Sequence, residues 1–119
     1  EAIRTAIEAH RRNKPYCMGT LYWQMNDCWP VASWAGMDYY GRWKALQYTV
    51  RRSFRDVMLA IYEPEDGPIS ISLVSDLQKP VEAQLRLSLY DFQGTLLKEQ
   101  ALEVRAAADS VVKAAVFTR

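Results

Sequence analysis

Tyr16-Cys17-Met18-Gly19-Thr20-Leu21-Tyr22-Trp23-Gln24-Met25 is the stretch on which the fold turns. It is rich in aromatic residues and scarcely alternates, which suits a strand buried on both faces, as in a parallel sheet. Upstream, Glu1 to Asn13 puts Ile3, Ala6, Ile7 and His10 on one helical face. Arg4, Glu8, Arg11 and Arg12 fall on the opposite face. Lys14-Pro15 ends this helix, because proline disfavours helical backbone at the residue before it. Downstream, a loop with Asn26, Asp27, Pro30, Ser33, Gly36 and Gly41 leads into Arg42–Arg55. There Trp43, Leu46, Gln47, Val50 and Phe54 recur at helical spacing and predict a second amphipathic helix. Helix, buried strand, long loop and helix is the order of β/α barrels and doubly wound sheets. A single parallel strand has no partner, however, and its unpaired backbone groups cost free energy when buried. Residues 1–55 therefore read as the last slice of a larger parallel barrel.

Beyond Arg55 the hydrophobic period changes from about 3.6 to 2. Val57 to Tyr62 is an apolar strand, followed by the turn cluster Pro64-Glu65-Asp66-Gly67-Pro68. Ile69, Ile71 and Leu73 alternate with Ser70 and Ser72, and Asp76-Leu77-Gln78-Lys79-Pro80 breaks the chain again. Val81, Ala83, Leu85, Leu87 and Leu89 alternate with Glu82, Gln84, Arg86 and Ser88, the clearest half-buried strand in the chain. Asp91-Phe92-Gln93-Gly94 is a hairpin signal, and Thr95–Val104 and Val111–Phe117 complete five strands. The expected fold class is an α+β composite. The last β/α unit of a TIM barrel (residues 1–55) precedes an immunoglobulin-like β-sandwich (residues 56–119).

Charge divides at the same place. Up to Arg55 there are nine Lys/Arg against four Asp/Glu; from Asp56 onward there are six against ten, so +5 is followed by −4. Arg51, Arg52 and Arg55 form no longer basic stripe, so they read as a solvated helix face and no nucleic-acid partner is expected. No apolar run reaches the roughly 18 residues of a membrane span, and none is expected. The opening Glu1-Ala2-Ile3-Arg4 is already amphipathic, unlike a secretory signal or a natural beginning. Cys17 and Cys28 lack the pairing of a zinc site and read as buried free thiols in apolar surroundings, while a disulfide between them stays open. No metal or cofactor is expected.

In parallel barrels, ligand contacts gather on the loops that leave the C-terminal strand ends. Tyr22, Trp23, Gln24, Asn26, Asp27, Trp29, Trp34, Asp38, Tyr39 and Tyr40 occupy that place here. Aromatic rings can cover the apolar faces of a sugar while amides and carboxylates bond its hydroxyls. By composition alone, core or interdomain packing is the commoner account of such aromatics.

Gly19-Thr20-Leu21-Tyr22-Trp23-Gln24-Met25-Asn26-Asp27-Cys28-Trp29-Pro30 strongly resembles β-mannosidases of glycoside hydrolase family two. The likeness continues through Ser33-Trp34 and Asp38-Tyr39-Tyr40-Gly41-Arg42-Trp43-Lys44-Ala45-Leu46. It implies that the segment around Trp23 is the eighth barrel strand and that the β-rich half is the immunoglobulin-like domain after the barrel. It further implies a mannose-containing oligosaccharide or glycoside as partner, with Trp23 lining the subsite of the cleaved sugar. Asn26, Asp27 and Trp29 would shape that subsite or its loop. The bond from Trp23 to the next residue would be cis in the complete barrel, whereas in this chain, without the neighbouring strands, trans is as much expected as cis. Retaining glycosidases use two carboxyl groups about 5–5.5 Å apart. The resemblance places both on earlier barrel strands, so no catalytic residue is assigned here. Glu1 and Glu8 lie on a helix entering the strand, while Asp27 and Asp38 read as turn or capping residues. His10 reads as a core-facing structural residue. The alternative is a non-catalytic carbohydrate-binding or structural sandwich, with only Tyr62, Tyr90 and Phe92 as exposed aromatics on its strands. Apolar surface left on the first half predicts self-association, domain exchange or collapse of the helices onto the sandwich.

Overall fold

The computed structural model describes residues 1–117, with two helices and five strands among them. Helix α1 is Ala2–Arg12 and α2 is Ala45–Ser53. The strands are β1 Val57–Tyr62, β2 Ile69–Ser75, β3 Val81–Tyr90, β4 Leu96–Ala106 and β5 Val111–Phe117. All five lie where the period-two pattern predicts them. They form an antiparallel sheet in the order β1-β2-β5 and a second, two-stranded sheet β3-β4.

Alternation decides which side chains meet between the sheets. Ile71 and Leu73 of β2, Leu85 of β3, and Val104 and Ala106 of β4 are the buried cluster, flanked by Val57, Leu87, Leu102, Val112, Ala114, Ala115 and Phe117. In β5 the alternation is broken by a register shift. Ile71 pairs with Ala115 while Ser72 pairs with Lys113, so Ala114 is an extra residue. This bulge puts Val112 and Ala114, then Ala115 and Phe117, against the same core. At the β3–β4 turn, Asp91 Oδ1 accepts hydrogen bonds from the backbone N–H groups of Gln93 (2.9 Å) and Thr95 (2.7 Å). Gly94 takes the left-handed conformation that the turn requires, with φ of 88°.

The outer face of β1 and β2 is covered by α1. Ala60, Ser72 and Val74 share this face and are buried, as is Ile7 of α1. The Arg12 guanidinium lies 4.5 Å from the centre of the Tyr62 ring on the same face. Helix α1 therefore lies on the sandwich, one of the outcomes expected of the apolar surface of this half, and α2 packs against α1.

Several expectations for the first half are corrected. Residues 16–25 form no strand; Asn26 alone makes an isolated parallel bridge to Met37. Among the described residues no parallel strand lies beside this stretch to take up its backbone groups, so it stays extended and irregular. The second helix is shorter than Arg42–Arg55, beginning at Ala45 after Trp43 and Lys44. The first helix is turned from its expected orientation. Ile7 is buried, but Ile3 and His10 are exposed, while Glu8 and Arg11 are buried instead. Both have partners that offset their desolvation: Arg4 Nε donates to Glu8 Oε1 at 2.7 Å, and Arg11 is bound by carbonyls and a carboxylate described below. His10 is not a core residue; its Nδ1 lies 2.8 Å from the Thr20 hydroxyl at the surface. The thiols are free as expected, but Cys28 is exposed and Cys17 half-buried.

Candidate sugar-facing site

The segment from Tyr22 to Lys44 is held by backbone bonds rather than by a sheet. Gly36 N–H donates to Gln24 O (3.1 Å), Met37 N–H to Met25 O (2.8 Å) and Asp27 N–H to Met37 O (3.1 Å), while Lys44 N–H donates to Gly36 O (2.9 Å). Residues 24–27 and 36–37 thus lie side by side, with residue 44 beyond them. Gly36 allows the approach. A Cβ there would sit 2.4 Å from Gln47 Oε1 and 3.3 Å from both Met25 O and the Tyr22 hydroxyl. That Gln47 oxygen accepts the Tyr22 hydroxyl at 3.0 Å, so a side chain on residue 36 would push apart the contact joining the segment to α2.

Asp27 is the anchor of this arrangement, buried at 2 % exposure. Its Oδ2 accepts from Lys44 Nζ at 2.8 Å and its Oδ1 from the Ser33 hydroxyl at 2.5 Å. Ser33 Oγ in turn accepts the backbone N–H of Ala35 at 3.0 Å. The bonds from Lys44 and Ser33 outweigh the cost of burial and hold the Asp27 carboxyl below the usual carboxylate range. Its role is a loop-closing ion pair rather than the turn or capping function expected. Asp38 does form a turn. Its Oδ1 accepts from the backbone N–H of Tyr40 and Arg42, each at 2.9 Å, and its Oδ2 accepts from Arg42 Nε at 2.6 Å. Burial works against its charge, but the bonds from Arg42 and Tyr40 prevail and lower its pKa.

With its frame fixed, the segment presents its aromatics outward. Trp23 is 77 % exposed, Trp29 64 % and Trp34 73 %. Tyr39 and Tyr40 are exposed beside them, packed edge to face with ring centres 5.2 Å apart. The Trp23–Gln24 peptide is cis, as the resemblance implies for the complete barrel. Asn26 is exposed, and its Nδ2 donates to the carbonyl of Asp27 at 3.1 Å. Of the four candidates, the structure puts Trp23, Asn26 and Trp29 at the surface and Asp27 beneath it. Lys44, Ser33 and Gly36 were not singled out from sequence, although all lie in or beside the stretch that carried the resemblance. Asp27 and Asp38 are each paired with a cation, Lys44 and Arg42, and Glu8 is paired with Arg4.

An extended aromatic segment and two helices docked on a two-sheet sandwich have counterparts among known glycosidases. Residues 67–119 match the family model of the Mannosidase Ig/CBM-like domain. The chain is 38 % identical over 97 residues to β-mannosidase of Mus musculus, covering 76 % of this chain and 11 % of that protein. It is 34 % identical over 92 residues to β-mannosidase A of Aspergillus terreus, covering 76 % of this chain and 10 % of that protein. The crystal structure of β-D-mannosidase from Dictyoglomus thermophilum superposes with a TM-score of 0.82 at 34 % identity, covering 98 % of this chain and 14 % of that one. The chain is homologous to β-mannosidases, as residues 19–46 suggest. It spans about a tenth of the length of the curated relatives it matches.

Proposed function

We propose that the chain is a segment of a retaining β-mannosidase that supplies part of the wall of the sugar subsite. In this reading residues 1–55 are the C-terminal end of the (β/α)8 barrel and residues 56–119 the immunoglobulin-like domain behind it. The extended stretch 16–25 becomes the eighth barrel strand once parallel neighbours pair with it. Trp23 faces the sugar and positions its ring against water, Asn26 and Trp29 border it, and Asp27 holds the loop from below. The two catalytic glutamates lie on other strands, and no cofactor is required. The names of the relatives support a glycoside of β-mannose as substrate.

The observation that carries this reading is the outward display of Trp23, Trp29 and Trp34 on a segment whose own polar groups are turned to bonding one another. A carbohydrate-binding role for the sandwich alone has less support. Of the exposed aromatics expected on it, Tyr62 already has the Arg12 guanidinium over its ring, and Tyr90 and Phe92 lie beside the hairpin turn. The test is an assay of the 119-residue chain against an aryl β-mannoside. No turnover is expected. Turnover that disappears on replacing Asp27 or Asp38 would overturn the assignment of the chemistry to other strands.

A further inference from the structure

The C-terminal end of α1 is joined to the sandwich by two cations that are almost wholly buried. The Arg11 and Lys14 side chains are 8 % and 10 % exposed. Arg11 Nη1 donates to the carbonyl oxygens of Ser53 (2.6 Å) and Arg55 (2.8 Å), at the end of α2. Its Nη2 donates to Asp76 Oδ2 at 2.6 Å. Lys14 Nζ donates to the other oxygen of Asp76 and to Asp109 Oδ1, each at 2.5 Å. Burial opposes the charge on Lys14, but the bonds to Asp109 and Asp76 prevail and raise its pKa. The backbone N–H of Asp76 also donates to Asp56 O at 2.8 Å.

One residue just past β2 thus gathers both ends of the excursion that runs from Lys14 to Asp56. All four tryptophans, Trp23, Trp29, Trp34 and Trp43, lie on that excursion. An arginine fork can reach two helix-end carbonyls and a carboxylate at once, which a lysine ammonium cannot reproduce. Removing the carboxylate would leave the desolvated Arg11 with carbonyl oxygens alone and Lys14 with Asp109 as its one carboxylate.

We propose that Asp76 is a positioning residue: from the sandwich it closes the loop of chain that presents the aromatic wall. Its functional meaning rests on the sugar-facing reading of that wall, but its mechanical role can be tested without any sugar. The experiment is amide exchange and near-ultraviolet circular dichroism on the 119-residue chain carrying Asp76→Asn, with Asp109→Asn beside it. Because residues 44–119 contain no tryptophan, the indole signal reports on the excursion alone. Asp76→Asn is expected to lower amide protection in residues 2–12 and 45–53 by about tenfold or more and to diminish the indole signal. Protection in the strands between residues 57 and 117 should stay within about twofold. Asp109→Asn, which removes one of the two carboxylates on Lys14 and leaves every bond of Asp76 in place, should have the smaller effect.

Unchanged helices and an unchanged indole signal in Asp76→Asn would overturn the proposal. So would a proportionate loss throughout the strands, which would make Asp76 a support of the sandwich itself. An equal effect of Asp109→Asn would also overturn it, transferring the role to Lys14. Should Asp76→Asn fail to fold, Arg11→Lys leaves the sandwich sequence intact and is expected to give the same loss in the helices. Wild-type protection in Arg11→Lys would then refute the role. Failure of any of these leaves the subsite reading of Trp23 standing, and an idle Trp23 would leave these outcomes unaltered.

Discussion

The sandwich and the aromatic excursion contain similar kinds of side chain and dispose of them in opposite ways. In the sandwich, Leu85, Ile71, Leu73 and Val104 are buried against one another, and polar residues such as Glu82 and Gln84 face solvent. In the excursion, Tyr16, Leu21 and Trp23 are at the surface while Asp27 is buried. Cohesion in the first region comes from apolar area removed from water; in the second it comes from directed bonds among Asp27, Ser33, Lys44 and backbone groups. Hydrophobicity therefore predicts location well in one region and poorly in the other. The excursion is built to hold a surface in place rather than to bury it.

Truncating the two regions should separate them sharply. Leu85→Ala removes a side chain from the centre of the buried cluster and should cost about 2–5 kcal/mol in denaturant unfolding. A loss below about 1 kcal/mol would mean that the two sheets are not held by this core.

Acid should weaken the excursion through Asp27. Its folded pKa is depressed, so the stabilisation it contributes is present above the ordinary carboxyl pKa of about 3.9 and fades as pH falls through the lower folded value. Asp27→Asn should therefore be less stable than the wild type at neutral pH, with the difference closing as pH falls through the depressed folded value. Urea melts followed by indole fluorescence at neutral pH and through the acid range measure this. A difference that persists undiminished in acid would show that charge is not what Asp27 supplies.

The smallest effect on folding is expected at Trp23. With its side chain largely in solvent, Trp23→Ala should shift the stability of this chain by no more than about 0.5 kcal/mol. In the longer enzyme proposed above, the same change should lower kcat/KM on the order of 100-fold. Full kcat/KM there would remove Trp23 from the site; a large loss of stability here would make it a packing residue after all.

How much could be read in advance follows the same division. Val81 to Leu89 alternates without exception, and local alternation is enough to define the strand and its inward face as far as Leu87, although Leu89, near the hairpin turn, is exposed. Residues 16–25 carry a strand's composition, but a strand also needs neighbours, and no pattern within the stretch says whether they are present. On α1, amphipathicity assigned Glu8 and Arg11 to water because it ranks side chains one at a time. Their burial depends on Arg4, Asp76 and the carbonyls of Ser53 and Arg55, of which three lie more than 40 residues away. Trp23, Asn26, Asp27 and Trp29 could be picked out from their motif, but not which of them would be the buried anchor. Lys44, 17 residues from Asp27, decides that.

The extra residue in β5 leaves that strand one residue of slack. Because Ala114 and Ala115 both turn toward the core, removing Ala114 would leave Val112, Ala115 and Phe117 in simple alternation, each still on its present side of the sheet. The strand can thus absorb the loss of one residue without turning its apolar side chains outward. β3 has no such reserve over Val81 to Leu89, where the pairing with β4 runs without interruption. Within one sandwich, then, tolerance of a change in length differs from strand to strand and is set by register, not by how deeply each strand is buried.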